Sequence, residues 1–209
     1  MLRSSKNMRK KMSSPTVRRL FHLLDSARLH GRLAWGGYYK FFARCRGVEF
    51  LGACEFMGRP KFKLYPGTRV IVGSGCRFLS GHTDNLIGIN RPCIISVYNR
   101  GTVVQIGEGS GFSGTVIGAF AGVTIGRDVK CGANTLITDG DWHPEDPRSG
   151  EPRPVFIGDR VWLGVGSMVL KGARIGENTV IGAGSIVTGE IPANVIAAGN
   201  PCKVIRSLS

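Results

Sequence analysis

Ile157-Gly-Asp-Arg-Val-Trp, Leu163-Gly-Val-Gly-Ser-Met, Val169-Leu-Lys-Gly-Ala-Arg, Ile175-Gly-Glu-Asn-Thr-Val and Ile181-Gly-Ala-Gly-Ser-Ile, followed by Val187, decide the fold. An aliphatic residue returns every six positions, Gly commonly follows it, and a small or β-branched residue stands four places after it. A helix repeats about every 3.6 residues and a strand every two, so neither accounts for a strict six. A six-residue period marks a parallel β-helix, in which each hexad supplies one short strand and one corner. The aliphatic side chain points inward and stacks on its equivalent in the next coil. Glycine beside it suits a corner of unusual backbone angle or close backbone approach. The turns of an ordinary Val/Ile/Gly-rich sandwich would not hold this register over five hexads.

The stretch ends in Ile191-Pro-Ala-Asn-Val-Ile-Ala-Ala-Gly-Asn-Pro-Cys-Lys-Val-Ile-Arg206. Taken together, it resembles the hexapeptide-repeat acyltransferases, and among them the sugar O-acetyltransferases of maltose, galactosides, nodulation factors and capsule or exopolysaccharides. The resemblance covers roughly residues 70–209. It implies an all-β fold, a left-handed parallel β-helix with three hexads per triangular coil, usually assembled as a homotrimer with active sites between subunits. Left-handed crossovers depart from the general rule for parallel strands, and the hand rests on the resemblance alone. The resemblance also implies acetyl-CoA as the acyl donor and a saccharide as the acceptor, with no metal.

The formal net charge of +14 is unevenly spread. Residues 1–50 hold 12 Lys/Arg against 2 Asp/Glu, and residues 51–209 hold 16 against 12. The body is therefore only mildly basic, which argues against a nucleic-acid footprint across the fold. No apolar run approaches the roughly 20 residues that span a bilayer, and Arg18 and Arg19 interrupt any signal-like stretch after the basic start. Six cysteines show no C-x-x-C pair and no zinc spacing, and Cys131 falls on an inward hexad position. They read as reduced thiols of a cytoplasmic protein.

Two units follow, a basic amphipathic helical arm over 1–50 and the β-helix domain over 51–209. In the arm, Ser14-Pro15 starts a helix that places Val17, Leu20, Phe21 and Leu24 on one face and ends near Gly31. An aromatic piece from Trp35 to Phe42 comes next. The arm is read either as a cap over the open end of the β-helix or as a peripheral contact with the inner face of a membrane; the two are compatible. Repeat traces begin near 70, with Val72-Gly and Phe78, then Ile106-Gly and Phe112, then Ile125-Gly, Cys131-Gly and Ile137. Residues 79–105 read as less regular coils, and a one-residue slip between Phe112 and Ile125 is assigned to a bulge at Gly118 or Gly122.

The repeat stops between Thr138 and Pro154, so a loop over 138–156 is expected to leave the solenoid. Rigid coils fix both ends of such an excursion, which makes it the expected place for function. It contains His143, whereas His22, His30 and His82 lie in the arm or an irregular early coil. Acyl transfer from a thioester to a hydroxyl needs a base that takes the hydroxyl proton, and an imidazole suits that task. The resemblance places the family's catalytic His at His143. Asp139 or Asp141 would orient its ring, or both would cap the turn at Gly140. Trp142 would wall the acceptor pocket or pack the loop. No G-x-S-x-G elbow is present, which favours direct transfer over an acyl-enzyme.

For CoA, the resemblance implies contacts at Gly164, Val165, Ala183 and Thr188, with Lys203 and Arg206 on its phosphates. Relatives often carry Lys where this chain has Gly189, which removes one phosphate contact. Three other functions compete. A γ-type carbonic anhydrase needs three zinc-binding histidines, and residues 106–209 hold only His143. A serine-type acetyltransferase carries a longer helical domain than this arm. A non-catalytic β-helix scaffold would need neither the His-bearing loop nor the basic tail.

Overall fold

The chain visits three parallel sheets in turn, so each strand pairs with one a full coil away. This computed structural model describes Arg19 and residues 36–208. The first sheet has seven strands: Val48–Phe50, Arg69–Val72, Val103–Ile106, Val123–Ile125, Val155–Ile157, Arg174–Ile175 and Glu190–Ile191. The second has eight: Glu55–Met57, Arg77–Leu79, Gly111–Ser113, Lys130–Cys131, Trp162–Leu163, Val180–Ile181, Val195–Ala198 and the antiparallel Lys203–Ser207. The third has six: Lys61–Leu64, Ile94–Val97, Val116–Ala119, Leu136–Thr138, Met168–Val169 and Ile186–Val187. This is the all-β, left-handed parallel β-helix of the hexapeptide repeat.

Register puts like on like. Val72, Ile106, Ile125, Ile157, Ile175 and Ile191 form one inward column. Phe78, Phe112, Cys131, Leu163 and Ile181 form a second, and Ile95, Ile117, Ile137, Val169 and Val187 a third. All are buried. Within the second column the rings of Phe56, Phe78 and Phe112 stack at 5.3 and 5.1 Å. Truncating one such ring would cost roughly 3–5 kcal/mol. The residues four places after each aliphatic, Val161, Ser167, Ala173, Thr179 and Ser185, are buried inside the corners. Glycine beside the aliphatic answers to coil spacing: a Cβ on Gly164 would sit 2.5 Å from the Ala183 amide nitrogen.

The structure departs from the sequence reading in three places. Coiling begins at Val48, where Val48–Phe50 already pairs with the next coil. That first coil inserts Phe50, Phe56 and Phe62, six residues apart but without the partner glycine. The irregular stretch is an insertion of residues 80–93 between two regular strands, held partly by His82 Nδ1 at 2.9 Å from the Ile89 carbonyl. The slip after Phe112 has two parts. Phe112 to Ile117 is one residue short, and Ile117 to Ile125 is two residues long, the excess lying at the corner Phe120-Ala121-Gly122, where Gly122 has φ +147°.

Residues 36–45 are helical. Ala43 is buried in the core, and Lys40 donates to the Gly52 carbonyl at 2.7 Å with its ammonium 5.5 Å from the Phe50 ring centroid. This segment therefore lies over the first coil. The expected helix from Ser14 to Gly31 falls outside the described residues apart from Arg19, as do His22 and His30. Among the described residues, no helix is long and apolar enough to cross a membrane.

Candidate active site

The excursion leaves the third sheet after Thr138 and rejoins the first at Val155. Its root is tied down by Asp139, which is fully buried. The Asp139 carboxylate accepts three successive backbone N–H groups, Phe120 at 2.6 Å, Ala121 at 2.8 Å and Gly122 at 2.5 Å. The widened corner thus forms a nest for an anion, and the chain supplies that anion itself. The Asp139 carbonyl in turn accepts from the Arg153 N–H at 2.9 Å, closing the two ends of the excursion on each other.

Asp141 is engaged elsewhere too. It pairs with Lys171 and accepts the Gly150 N–H at 3.1 Å. The Lys171 ammonium holds its carboxyl below the usual Asp range, and the Gly150 N–H adds to the effect. Neither aspartate meets the ring of His143, so the orienting role expected of them is corrected. The acid at the ring is Glu145, whose Oε1 lies 3.3 Å from His143 Nδ1. A hydrogen bond to its own backbone N–H and then the His143 contact hold the Glu145 carboxyl below its ordinary value. With Nδ1–H donating to Glu145, the lone pair sits on Nε2. The His143 side chain is 74% exposed. Its carbonyl accepts from the Asp146 N–H at 3.0 Å and from the Ser149 hydroxyl, which makes the loop around the ring compact.

Trp142 is held at φ 66°, a left-handed backbone that a bulky residue seldom adopts. Its indole N–H donates to Thr138 Oγ1 at 2.9 Å, and its ring meets Phe120 edge-on at 4.8 Å. The ring lies against Gly118, where any Cβ would collide with it. A groove of about 300 Å³ runs beside it, lined partly by Trp142, Tyr98, Tyr65 and Glu145. A larger hollow of about 610 Å³ lies on the first sheet around Phe156 and Arg174. Neither hollow is lined by a histidine or cysteine; the Trp142 groove includes Trp142 and Pro144, the chain neighbours of His143, and Glu145, whose carboxylate meets its ring.

The residues expected at CoA fall on two corners. Gly164, Val165 and Ala183 lie where the second sheet turns into the third, and the Gly184 N–H donates to the Val165 carbonyl at 2.8 Å. The amides of Val165 and Ala183 donate to no backbone carbonyl among the described residues. Lys203 pairs in register with Ala198, which packs beside Gly182, so it belongs to this corner. Arg206 is farther along the same exposed strand, and neither cation has a carboxylate partner among the described residues. Thr188 stands apart, where the third sheet turns toward the first, on the side of the excursion. A single chain does not bring it to the others. Among the described residues, no group of His, Cys, Asp and Glu is placed to hold a metal ion.

Comparison with known proteins agrees with this architecture. The profile described as bacterial transferase hexapeptide (six repeats) matches residues 154–189. The galactoside O-acetyltransferase of Escherichia coli K12 is 40% identical over 118 residues, covering 54% of this chain and 58% of the relative. The putative lipopolysaccharide biosynthesis O-acetyl transferase WbbJ of the same organism is 41% identical over 103 residues, covering 43% and 53%. A galactoside acetyltransferase solved in complex with coenzyme A superposes with a TM-score of 0.50 at 33% identity, over 68% of this chain and 66% of that one. The chain spans about half the length of the curated relatives it matches, from 29% to 58% across the first five.

Proposed function

We propose that the chain is a hexapeptide-repeat transferase of the sugar O-acetyltransferase branch, to which its relatives are similar, and that it transfers an acetyl group from acetyl-CoA to a saccharide hydroxyl, with His143 as general base. The carrying observation is the placement of His143: exposed, with Nδ1 on Glu145, in a loop whose root is fixed by a buried carboxylate. The acceptor hydroxyl gives its proton to Nε2 as its oxygen attacks the thioester carbonyl. The C–S bond then breaks, and the imidazolium returns the proton to the departing thiolate. Glu145 orients the ring and offsets the charge that His143 gains. No strained Ser nucleophile is needed for this direct route.

Acetyl-CoA is assigned to the corner of Val165 and Ala183, whose amides donate to no backbone carbonyl among the described residues, with Lys203 and Arg206 facing the phosphates. Thr188 reaches the same ligand from another copy of the chain if the protein is a homotrimer, with the donor in the cleft between subunits. Galactosides and lipopolysaccharide are named for relatives of this chain, and we take sugars of that class as acceptors and the reaction as a step of cell-surface polysaccharide synthesis. The arm of residues 1–50 would bring the enzyme to the inner face of a membrane.

Incubation with acetyl-CoA and a galactoside tests the reading. Release of free CoA thiol in step with appearance of an O-acetylated sugar is expected. No acetylated product with galactosides or lipopolysaccharide sugars, at protein concentrations that bind acetyl-CoA, would contradict it.

A further inference from the structure

Four aromatic rings from four successive coils touch in a row: Tyr65 to Tyr98 at 4.5 Å, Tyr98 to Phe120 at 5.3 Å, and Phe120 to Trp142 at 4.8 Å. Tyr65, Tyr98 and Phe120 each directly follow a third-sheet strand, at the corner from which the excursion leaves. The row therefore runs parallel to the coil axis from the first coil to the residue beside His143. Phe120 is buried beneath it, but Tyr65, Tyr98 and Trp142 are 52, 43 and 44% exposed. Three large rings held half-open in one line are more than packing requires. Polar groups accompany them. Lys63 precedes Tyr65 by two residues and Ser96 precedes Tyr98 by two, so each shares a strand face with its ring. Glu145 lies on the same groove at the Trp142 end. Neither phenol hydroxyl has a hydrogen-bond partner among the described residues.

We propose that this row is an extended saccharide platform, so that the acceptor is an oligosaccharide of several units and not a single sugar. The proposal rests on the reading of His143 as the base of acyl transfer to a sugar. A pyranose presents an apolar C–H face ringed by hydroxyls, and Tyr65, Tyr98 and Trp142 each offer an exposed ring with a polar group beside it. Tyr65 and Tyr98 are about one sugar unit apart, and the buried Phe120 spaces Tyr98 from Trp142 by about two. A glycan lying on the row has one unit at Trp142, where a hydroxyl reaches His143, and its remaining units over Tyr98 and Tyr65. A protein partner would be served by an apolar row without the accompanying Lys63, Ser96 and free phenols.

The test measures kcat/KM for acetylation of β-1,4-linked galacto-oligosaccharides of one to five units by the wild type, Tyr65→Ala and Tyr98→Ala. In the wild type, kcat/KM is expected to rise with length and then level off. Each substitution is expected to remove roughly a 2- to 10-fold gain seen only with longer acceptors, with KM for acetyl-CoA and the rate on the monosaccharide unchanged. A wild-type rate independent of length overturns the platform, as does an equal loss on short and long acceptors. So does a change in sedimentation with length dependence intact, which would assign the row to a contact between copies of the chain. If the wild type acetylates none of the series, the underlying acyl-transfer reading fails first, which is a distinguishable result.

Discussion

The carboxylate of Asp139 accepts the backbone N–H of Phe120 at 2.6 Å, joining the root of the excursion to a corner of the preceding coil. With the Ala121 and Gly122 amides it makes three bonds to one buried acid. Removing the acid strands three donors. Asp139→Ala is expected to cost roughly 3 kcal/mol or more by denaturant unfolding, and Asp139→Asn somewhat less because one amide oxygen remains. A midpoint unchanged in Asp139→Ala would show that the nest does not hold the corner.

Asp141 ties the middle of the excursion to Lys171. Its folded pKa lies below the ordinary value, chiefly because of Lys171. A depressed carboxyl contributes its stabilisation above the unfolded pKa, about 3.9, and loses it as pH falls through the folded value. The tether is therefore intact at neutral pH and released only in acid. Proteolytic nicking of residues 141–154 should stay constant from pH 8 to about 5 and should not rise until pH falls below roughly 4. Asp141→Asn should be nicked faster than the wild type at neutral pH, the difference vanishing in acid once the wild-type tether is released. Equal nicking of variant and wild type at pH 7 would remove the tether from the loop's support.

The inward columns were legible because coil stacking imposes the six-residue period directly on the sequence, and Ile157 through Val187 obey it without a break. The first coil was not. Phe50, Phe56 and Phe62 keep the period, but Glu49, Leu51 and Phe62's neighbours carry no marker glycine. His143 was legible because the repeat halts around it. The job of Asp139 was hidden, since its nest is assembled from residues brought near only by stacking. Glu145 was within reach of a local reading, two residues after His143 across Pro144, but the acids before the histidine drew the assignment. The Tyr65–Tyr98 contact had no periodic signal, because the insertion of residues 80–93 separates the two rings in sequence.

Lys203 and Arg206 lie on an exposed strand with no carboxylate partner among the described residues. Replacing both with Ala should raise KM for acetyl-CoA roughly 10- to 100-fold, in keeping with lost charge-assisted contacts, and leave KM for the sugar nearly unchanged. Unaltered CoA affinity by calorimetry would make the pair ordinary surface.

Residues 1–46 include the helical segment that buries Ala43 and covers Phe50. Deleting them removes 12 basic residues and one acidic residue, taking formal net charge from +14 to +3. The truncated protein should melt at lower temperature and self-associate through its uncovered first coil. Co-sedimentation with anionic vesicles should be lost in the same variant, and in the intact protein it should weaken with added salt. An unchanged melting curve would contradict the covering role; vesicle binding retained after truncation would place any membrane contact elsewhere.

The most direct measurement is turnover of acetyl-CoA and a galactoside by His143→Ala beside the wild type, with melting curves for both. Loss of the general base should lower kcat by roughly 10²–10⁴-fold, while the melting temperature stays unchanged because the ring is exposed and its polar partner among the described residues is Glu145. Acetyl transfer by His143→Ala at the wild-type rate would contradict the assignment of His143 as the base.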